Sequence, residues 1–222
     1  MRGTGVTGDN KGVSPAPPGG TGRRLLETSM FQVRIHGRGG QGVVTAAEML
    51  SLAAFSEGHH SQAFPSFGSE RTGAPVVAYC RIDDKEIRIR EPITEPDALL
   101  IQDPTLLHQV DMFSGLRPEG YVLINTSHSF HELGLDDLYE RHRRSRLVTL
   151  PATEIAREHV GRPVPNAALL GGFAALSGLL SLAGVATGIQ GKFPSKIAAK
   201  NVAAATAAYE HVRQQMEELA SA

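Results

Sequence analysis

The sequence predicts an α/β fold: a Rossmann-like, mostly parallel sheet with an appended β-hairpin and C-terminal packing helices. Three observations predict it. A short apolar run at 31–37 meets a glycine-rich turn and then a helical pattern, which is how a doubly wound sheet opens. Strand-like apolar runs alternate with helical segments as far as residue 152, as parallel strands joined by crossovers require. Beyond residue 152 the pattern is helical.

The first half of the chain supplies the glycine-rich turn and the predicted hairpin. "FQVRIHG" (31–37) is predicted as a strand, and the following helix runs from Gln41 to about Phe55. "SQAF" (61–64) is predicted as a short second strand. The runs "VVAYCRI" (76–82) and "KEIRIR" (85–90) are joined by two aspartates, and they predict a hairpin because aspartate favours turn geometry.

Three further strands and three helices are predicted after the hairpin. The strands are the apolar runs at 97–103, 120–127 and 146–152, and Pro104 suits the first turn of a helix.

The helices are a short one from Thr153 to His159, a long buried one capped by Asn166, and a last one capped by Asn201. In the last helix the apolar residues recur three and four positions apart, on one stripe: Val202, Ala205, Tyr209, Val212, Met216 and Leu219.

Composition divides the chain into two parts. Residues 1–29 are rich in Gly, Pro, Thr and Ser and have almost no apolar side chain before Leu25. Such a segment cannot bury enough apolar surface to offset its ordering entropy, so we predict a disordered N-terminal extension. Residues 30–222 are predicted as one α/β domain, because about 190 residues suit a single domain with a substantial core.

Charge and cysteine content exclude several classes of function. The formal net charge of -1 and the pI near 6.8 favour neither nucleic-acid nor membrane-surface binding. No apolar run reaches the ~18 residues that a membrane span needs. The single cysteine, Cys80, excludes an internal disulfide, a four-thiolate zinc site and a cysteine-ligated iron–sulfur cluster held by this chain alone. This sparing use of cysteine fits a reducing compartment, so we expect a cytoplasmic protein.

The glycine-rich turn is the strongest candidate binding site. Gly37, Gly39 and Gly42 have the spacing G-x-G-x-x-G directly after a strand and before a helix, which is the context of a phosphate cradle. An NAD site would also need an acidic residue about 20 positions on, and only Glu57 is near, apparently still on the helix. Three interpretations stay open: a redox dinucleotide, a phosphate or sulfate-like group of another ligand, and a structural turn or subunit contact.

Two other loops follow predicted strands and hold polar side chains. "SFGSERTGAP" (66–75) contains Ser69 and Arg71, and Arg71 could supply a charge-assisted hydrogen bond to an anion. "NTSHSFHE" (125–132) begins with Asn125 and includes two histidines, which we expect to be exposed rather than metal-bound. Cys80 is expected to be a core residue. As a catalyst on its own, the chain is poorly equipped.

Several motifs, in order, resemble one family: "GRGGQGVVTAAEML", "AFPSFGSERTGAP", "RIDDKEIRIREPI", "PDALLIQD" and "VPNAALLGG". They resemble the gamma subunits of the 2-oxoacid:acceptor oxidoreductases, above all the pyruvate:ferredoxin oxidoreductase gamma type. The resemblance covers essentially residues 30–219. The sequence departs from the family's common arginine followed by two glycines, because it has "RTG" with Thr72 in the middle.

The resemblance implies a role within a larger enzyme. Such complexes decarboxylate a 2-oxoacid on thiamine diphosphate with Mg, pass electrons through [4Fe–4S] clusters, and release the acyl group on coenzyme A. The implied partners are alpha, beta and delta-type subunits, with ferredoxin, or a flavin/NAD subunit, as acceptor. The gamma subunit is not catalytic alone and helps to shape the coenzyme A approach. The single cysteine and the lack of a thiamine-binding motif agree that these cofactors belong on or between partner subunits.

We therefore expect pyruvate as the substrate, with arylglyoxylate, 2-oxoglutarate or another oxoacid as alternatives within the family. Two alternatives lie outside it: a free-standing NAD-dependent Rossmann-like dehydrogenase and a regulatory module that senses an anionic metabolite. The residues predicted to contact the ligand are Gly37, Arg38, Gly39, Gly40, Gln41, Gly42, Ser69, Arg71 and Asn125.

Overall fold

The computed structural model describes residues 30–66 and 72–221 and is built on a six-stranded sheet. The strand order is β2-β3-β1-β4-β5-β6. Strands β1, β4, β5 and β6 are parallel, whereas β3 lies antiparallel between β1 and β2. The strands are β1 Phe31–Arg38, β2 His60–Pro65, β3 Pro75–Asp83, β4 Ala98–Ile101, β5 Tyr121–Asn125 and β6 Leu147–Leu150. The predicted α/β fold class is confirmed.

In the described part of the chain six helices accompany the sheet: α1 Val43–Ser56, α2 Asp136–Arg141, α3 Ala152–His159, α4 Asn166–Ser177, α5 Leu182–Lys192 and α6 Ser195–Ser221. Short 3-10 turns occur at Pro104–His108 and Arg144–Arg146. Within the described residues no helix combines the length and the apolar character that crossing a membrane demands.

Strands β4 and β5 are buried along their whole length because both sheet faces are covered there. Leu100 and Leu123 belong to the larger core with α1, α4, α5 and α6, whereas Leu99, Ile101 and Ile124 belong to a second apolar cluster. This alternation is the period of two of a strand. Because β1, β4 and β5 are parallel, their carboxyl ends lie at one edge of the sheet, where ligands of doubly wound sheets bind.

The predicted hairpin was wrong in its second strand. Residues 85–90 form no strand. They do pass close to β3, since Arg81 donates hydrogen bonds to the carbonyls of Ile89 (3.2 Å) and Glu91 (2.6 Å). The antiparallel partners of β3 are instead β1 and β2, with Tyr79 opposite Phe64. Both edges of β3 are therefore occupied, and a further strand has no backbone groups to pair with.

The long helix predicted from Asn166 is two helices. The first of them, α4, ends at Ser177. The residue that caps its C-terminus, Gly178, has a left-handed φ of 60°, as is common at helix C-termini. A new helix, α5, begins after Ser181, whose hydroxyl accepts a hydrogen bond from the Gly184 amide (3.0 Å). The apolar composition continues across this segment, so composition alone did not reveal the break between the two helices.

The predicted start of the last helix was also wrong. Helix α6 begins at Ser195, and Asn201 lies inside it, donating from its side-chain amide to the carbonyl of Ile197 (2.9 Å). Asparagine within a helix can satisfy itself in this way. On the predicted apolar stripe, Ala205 and Val212 are fully buried, but Leu219 near the C-terminal end is 44% exposed.

Candidate functional site

The glycine-rich turn lies at the carboxyl end of β1 and leads directly into α1. Gly37 is the seventh residue of β1, and a Cβ added there would lie 2.7 Å from Val43 Cγ2, so glycine allows the helix to pack closely on the strand. Gly42 is the N-cap of α1 with φ 74°. The structure thus confirms the strand–turn–helix context that the G-x-G-x-x-G spacing predicts.

A cavity of about 300 Å³ opens at this turn. Its lining consists of Arg38, Gly39, Gly40, Gly42, Val43, Val44, Thr45 and Val76. The volume is at the small end of the range for ligand pockets, about 300–1,000 Å³. It suits a phosphate or diphosphate group better than a whole nucleotide cofactor.

The first residues of α1, Val43, Val44 and Thr45, line this cavity. The amide of Ala46 is the first to bond the Gly42 carbonyl (2.9 Å), so the amides of Val43, Val44 and Thr45 precede the helical hydrogen-bond ladder. No side-chain hydrogen bond caps α1, and its first turn carries no acidic residue. Amides outside the helical hydrogen-bond ladder and the positive end of the helix dipole both favour an anion at such a helix start.

The start of α4 approaches the same turn. A Cβ added at Gly42 would lie 2.7 Å from Asn166 Nδ2 and 3.8 Å from a methyl group of Val164. Asn166 is the first residue of α4 and is buried, and its Oδ1 accepts from the Ala167 amide (2.8 Å). The N-termini of α1 and α4 therefore meet at Gly42, which adds a second helix dipole to the favourable field.

Arg38 is used to join loops of the protein. Its guanidinium donates to Asp103 Oδ2 (3.1 Å), the Gly73 carbonyl (3.1 Å), Thr105 Oγ1 (2.8 Å) and Gln109 Oε1 (3.3 Å). The side chain is 24% exposed and lines the cavity only in part. Arg38 therefore helps to hold the turn in place, because its guanidinium donates to four acceptors of the protein.

Gln41 connects the turn to the end of β4. Its Oε1 accepts from the Arg38 amide (2.7 Å), and its Nε2 donates to Asp103 Oδ2 (2.8 Å). The other oxygen of Asp103 accepts from the amide (3.0 Å) and the hydroxyl (2.6 Å) of Thr105. Burial alone would raise the pKa of Asp103, but the hydrogen bonds from Thr105 and Gln41 and the charge of Arg38 hold it below its ordinary value.

Asp103 was missed by the sequence reasoning, although a signal was present. It follows a buried strand and precedes Pro104, and aspartate before a proline at the first helical position is a typical N-cap pattern. The structure shows Asp103 as the N-cap of the 3-10 turn Pro104–His108. What the pattern did not show is its contact with Gln41.

The two predicted loops adjoin each other. The Gly39 amide donates to the Ala74 carbonyl (2.9 Å), and the Gly73 amide donates to the Gly39 carbonyl (3.1 Å). The predicted ligand residues Ser69 and Arg71 lie outside the described residues. Thr72 is exposed and Gly73 has φ 84°, so the left-handed position of the "RTG" sequence is taken by its glycine.

Asn125 makes all of its observed hydrogen bonds to protein groups. Its Nδ2 donates to the Gln102 carbonyl (2.7 Å) and to Thr153 Oγ1 (2.8 Å), and its Oδ1 accepts from the Thr153 amide (3.0 Å). It is 7% exposed and is not among the residues that line the cavity. Its geometry supports a structural role in joining β5 to α3.

Glu57, the acidic residue nearest the position where an NAD site needs one, is the C-cap of α1. Its Oε1 accepts from the amide (2.9 Å) and the hydroxyl (2.5 Å) of Ser181. The carboxylate thus stabilises the start of α5, and it does not lie at the end of β2, where a ribose would need it.

His36 lies one residue before Gly37 and is 5% exposed. Burial and the positive charge of Arg34 lower the pKa of His36 to about 3. The imidazole is therefore neutral at pH 7 and adds no positive charge near the turn.

The other titratable candidates do not form a catalytic or cluster-binding site. His131 is exposed and contacts Asp136 (Nδ1–Oδ1 2.8 Å), and Asp136 raises its pKa. Cys80 is fully buried in the core, and burial raises the pKa of its thiol. In the part of the chain that the structure describes, no three His, Cys, Asp or Glu side chains gather as metal ligands. One buried thiol does not fit a [4Fe–4S] cluster, which takes four thiolates.

Fold and site together define a doubly wound α/β protein with a glycine-rich turn and a cavity at the carboxyl edge of its sheet. Residues 32–211 match the family model described as pyruvate ferredoxin/flavodoxin oxidoreductase. The chain belongs to this family.

Named relatives agree with this assignment. The chain is 46% identical over 184 residues to pyruvate synthase subunit PorC of Methanothermobacter marburgensis, covering 83% of this chain and 98% of that protein. It is 46% identical over 181 residues to the pyruvate/ketoisovalerate oxidoreductases common subunit gamma of Pyrococcus abyssi, covering 82% and 96%. The crystal structure of pyruvate oxidoreductase subunit PORC from Thermotoga maritima matches with 32% identity and a TM-score of 0.68, covering 82% of this chain and 97% of that one. The predicted resemblance to a gamma subunit is confirmed.

Proposed function

We propose that this chain is the gamma subunit of a thiamine diphosphate- and iron–sulfur-dependent complex that oxidatively decarboxylates pyruvate to acetyl-CoA and reduces ferredoxin. Within that complex, the glycine-rich turn binds a phosphate-bearing part of coenzyme A. The observation that carries the proposal is the cavity of about 300 Å³ lined by the glycine-rich turn and the first residues of α1, at the carboxyl edge of the sheet.

The magnitude of helix-terminus binding decides how much of the ligand this turn can hold. One helix N-terminus contributes about 0.3–1 kcal/mol to anion binding, and up to ~2 when it is partly buried. A micromolar dissociation constant needs about 8 kcal/mol. The turn therefore orients the phosphate group, and the remaining affinity comes from the rest of coenzyme A against this chain and its neighbours.

The chemistry of the reaction belongs to partner subunits of alpha, beta and delta type. Thiamine diphosphate, its Mg and the [4Fe–4S] clusters supply decarboxylation and electron transfer when they are bound there. This chain has a single, buried cysteine and lacks a recognisable diphosphate–magnesium motif in residues 30–222, so no step of the reaction is assigned to its side chains. The acceptor is ferredoxin, or NAD through a separate flavin subunit.

Selection of the oxoacid is also assigned to the partners. The gamma subunit of Pyrococcus abyssi is named as common to pyruvate and ketoisovalerate oxidoreductases. A subunit that serves two oxoacids does not distinguish between them. Pyruvate is the proposed substrate because it is shared by the names of the relatives, and other 2-oxoacids are the alternative for the same complex type.

Thr45 offers a test of the turn, because it lines the cavity in a first helical turn that has no acidic residue. Thr45→Glu places a carboxylate among the amides. It should strengthen the helix through the dipole and repel a phosphate. Thr45→Gln is the matched control, with the same length and no charge. Two like charges ~4 Å apart at an effective dielectric constant of ~20 repel by about 4 kcal/mol.

The measurement is the equilibrium dissociation constant of coenzyme A for the assembled complex, without oxoacid. We expect Thr45→Glu to raise it at least about tenfold, which corresponds to ~1.4 kcal/mol, and Thr45→Gln to change it less than about threefold. Equal constants for both variants would remove the glycine-rich turn from the coenzyme A site.

A further inference from the structure

We infer that Asp103 is a positioning residue that holds the glycine-rich turn in its ligand-binding conformation through Gln41 and Arg38. The inference rests on the proposed binding of coenzyme A at this turn. It adds a residue from the end of β4 that does not line the cavity.

Among the described residues, the Asp103 carboxylate accepts hydrogen bonds from two separate segments of the protein. Oδ2 accepts from Gln41 Nε2 (2.8 Å) and Arg38 Nε (3.1 Å), and Oδ1 accepts from the amide and hydroxyl of Thr105 (3.0 and 2.6 Å). The side chain is 11% exposed. One oxygen thus anchors the carboxylate to the 3-10 turn, and the other holds two side chains of the glycine-rich turn.

The tether adds a side-chain restraint to a turn in which the Gln41 amide donates to the Arg38 carbonyl (3.0 Å) and glycines stand on both sides of Gln41. Gly40 and Gly42 have φ values of 93° and 74° on either side of Gln41. A glycine loses more conformational freedom on ordering than any other residue. The Gln41 side chain bridges from the Arg38 amide (2.7 Å) to Asp103, so the carboxylate fixes the path of the chain between the two glycines.

The same carboxylate holds an arginine that lines the cavity. Arg38 lines the cavity, and its Nε is held by Asp103 while its other nitrogens reach Gly73, Thr105 and Gln109. Removing the carboxylate charge weakens the hold on Arg38 Nε, while the other guanidinium nitrogens keep their acceptors. Asp103 therefore acts on the ligand through two intermediaries and is not itself a catalytic residue.

Asp103→Asn removes the charge and places an amide donor against the donors of Arg38 and Gln41. The rescue variant is Asp103→Asn with Gln41→Glu, in which the new amide donates to the new carboxylate and the acceptor for the Arg38 amide is kept. Asp97→Asn is the matched control. Asp97 directly precedes β4, at the opposite end of that strand from Asp103. Its partly buried carboxylate accepts from the Gln32 amide (2.8 Å) and Arg117 Nη1 (3.0 Å).

The test uses the assembled complex and two readouts. The first is the coenzyme A dissociation constant, measured without oxoacid, together with the split between KM and kcat. We expect Asp103→Asn to raise the dissociation constant and KM for coenzyme A about tenfold with kcat within about twofold, and the rescue variant to recover most of this loss. Asp97→Asn should stay within about twofold of the parent complex.

The second readout is amide hydrogen exchange at residues 39–42 without ligand, which reports the conformation of the turn directly. Faster exchange in Asp103→Asn, restored by the rescue variant and absent in Asp97→Asn, supports the inference.

Exchange that is unchanged by Asp103→Asn overturns the inference, even if Thr45→Glu still weakens coenzyme A binding. Faster exchange with an unchanged dissociation constant leaves Asp103 as the tether of the turn and instead overturns the proposed binding of coenzyme A there.

Discussion

Asn125 and Thr153 exchange two hydrogen bonds across the carboxyl edge of the sheet. Asn125 Nδ2 donates to Thr153 Oγ1 at 2.8 Å, and the Thr153 amide donates to Asn125 Oδ1 at 3.0 Å. One side chain at the end of β5 therefore satisfies an otherwise orphan amide in the first turn of α3. From the sequence, a polar residue directly after a strand suggests a ligand contact. In the structure, Asn125 stabilises the first turn of α3.

Asn125→Ala should destabilise the fold without affecting ligand binding. The change removes three buried or partly buried hydrogen bonds and leaves the Thr153 amide and the Gln102 carbonyl unpaired. We expect the free energy of unfolding to fall by about 2–3 kcal/mol, measured by urea denaturation of the full chain. The coenzyme A dissociation constant of the complex should stay within about twofold. A large rise in that constant without a loss of stability would return Asn125 to the ligand site.

Two glycines of α5 should respond to alanine in opposite directions. A Cβ at Gly188 would lie 2.3 Å from the Met49 carbonyl oxygen of α1, whereas a Cβ at Gly191 would lie 3.4 Å from a flexible Leu52 methyl group. We expect Gly188→Ala to cost at least about 2 kcal/mol through overpacking, because the backbone must move. Gly191→Ala should be neutral or stabilise by up to ~1 kcal/mol through helix propensity.

Urea midpoints of the two variants test this contrast within one helix. The assignment of close α1–α5 packing at Gly188 would be refuted if both variants were equally stable.

His36 should make stability depend on pH below about 6.5. Its folded pKa of about 3 lies below its ordinary value of 6.5, so the unfolded chain binds the proton more readily. Neutral His36 therefore contributes stability that is present above pH 6.5 and is lost as the pH falls towards 3. The slope is about 1.4 kcal/mol per pH unit in that window.

The matched variant is His36→Gln, which cannot titrate. Between about pH 7 and pH 5 the parent should lose roughly 2 kcal/mol more than the variant in urea unfolding. The carboxylates Asp97 and Asp103 are common to both proteins, so their contributions cancel in the difference. Parallel pH profiles would mean that His36 is protonated in the folded protein without a cost in stability.

Local sequence patterns predicted the glycine-rich turn and its neighbours well. Gly37 and Gly42 lie where the spacing placed them because a strand, a tight turn and a helix N-terminus are all specified within a few residues. Pro104 likewise begins a short helical turn, as expected.

Features that depend on distant contacts were not predictable. The run at 85–90 has the alternation of a strand, but β3 already pairs with β1 and β2, and pairing is decided by the whole sheet. Asp103 lies 62 residues from Gln41, so no local motif joins them. Asn125 and Arg38 likewise bond to side chains that are distant in the sequence, which no local motif shows.

Amide hydrogen exchange of the assembled complex, with and without saturating coenzyme A, tests the central claim most directly. If the first turn of α1 holds a phosphate of coenzyme A, exchange at the amides of Val43, Val44 and Thr45 should slow by about tenfold or more on binding. Protection that appears only on other segments, while these three amides exchange at the same rate as before, would contradict the account.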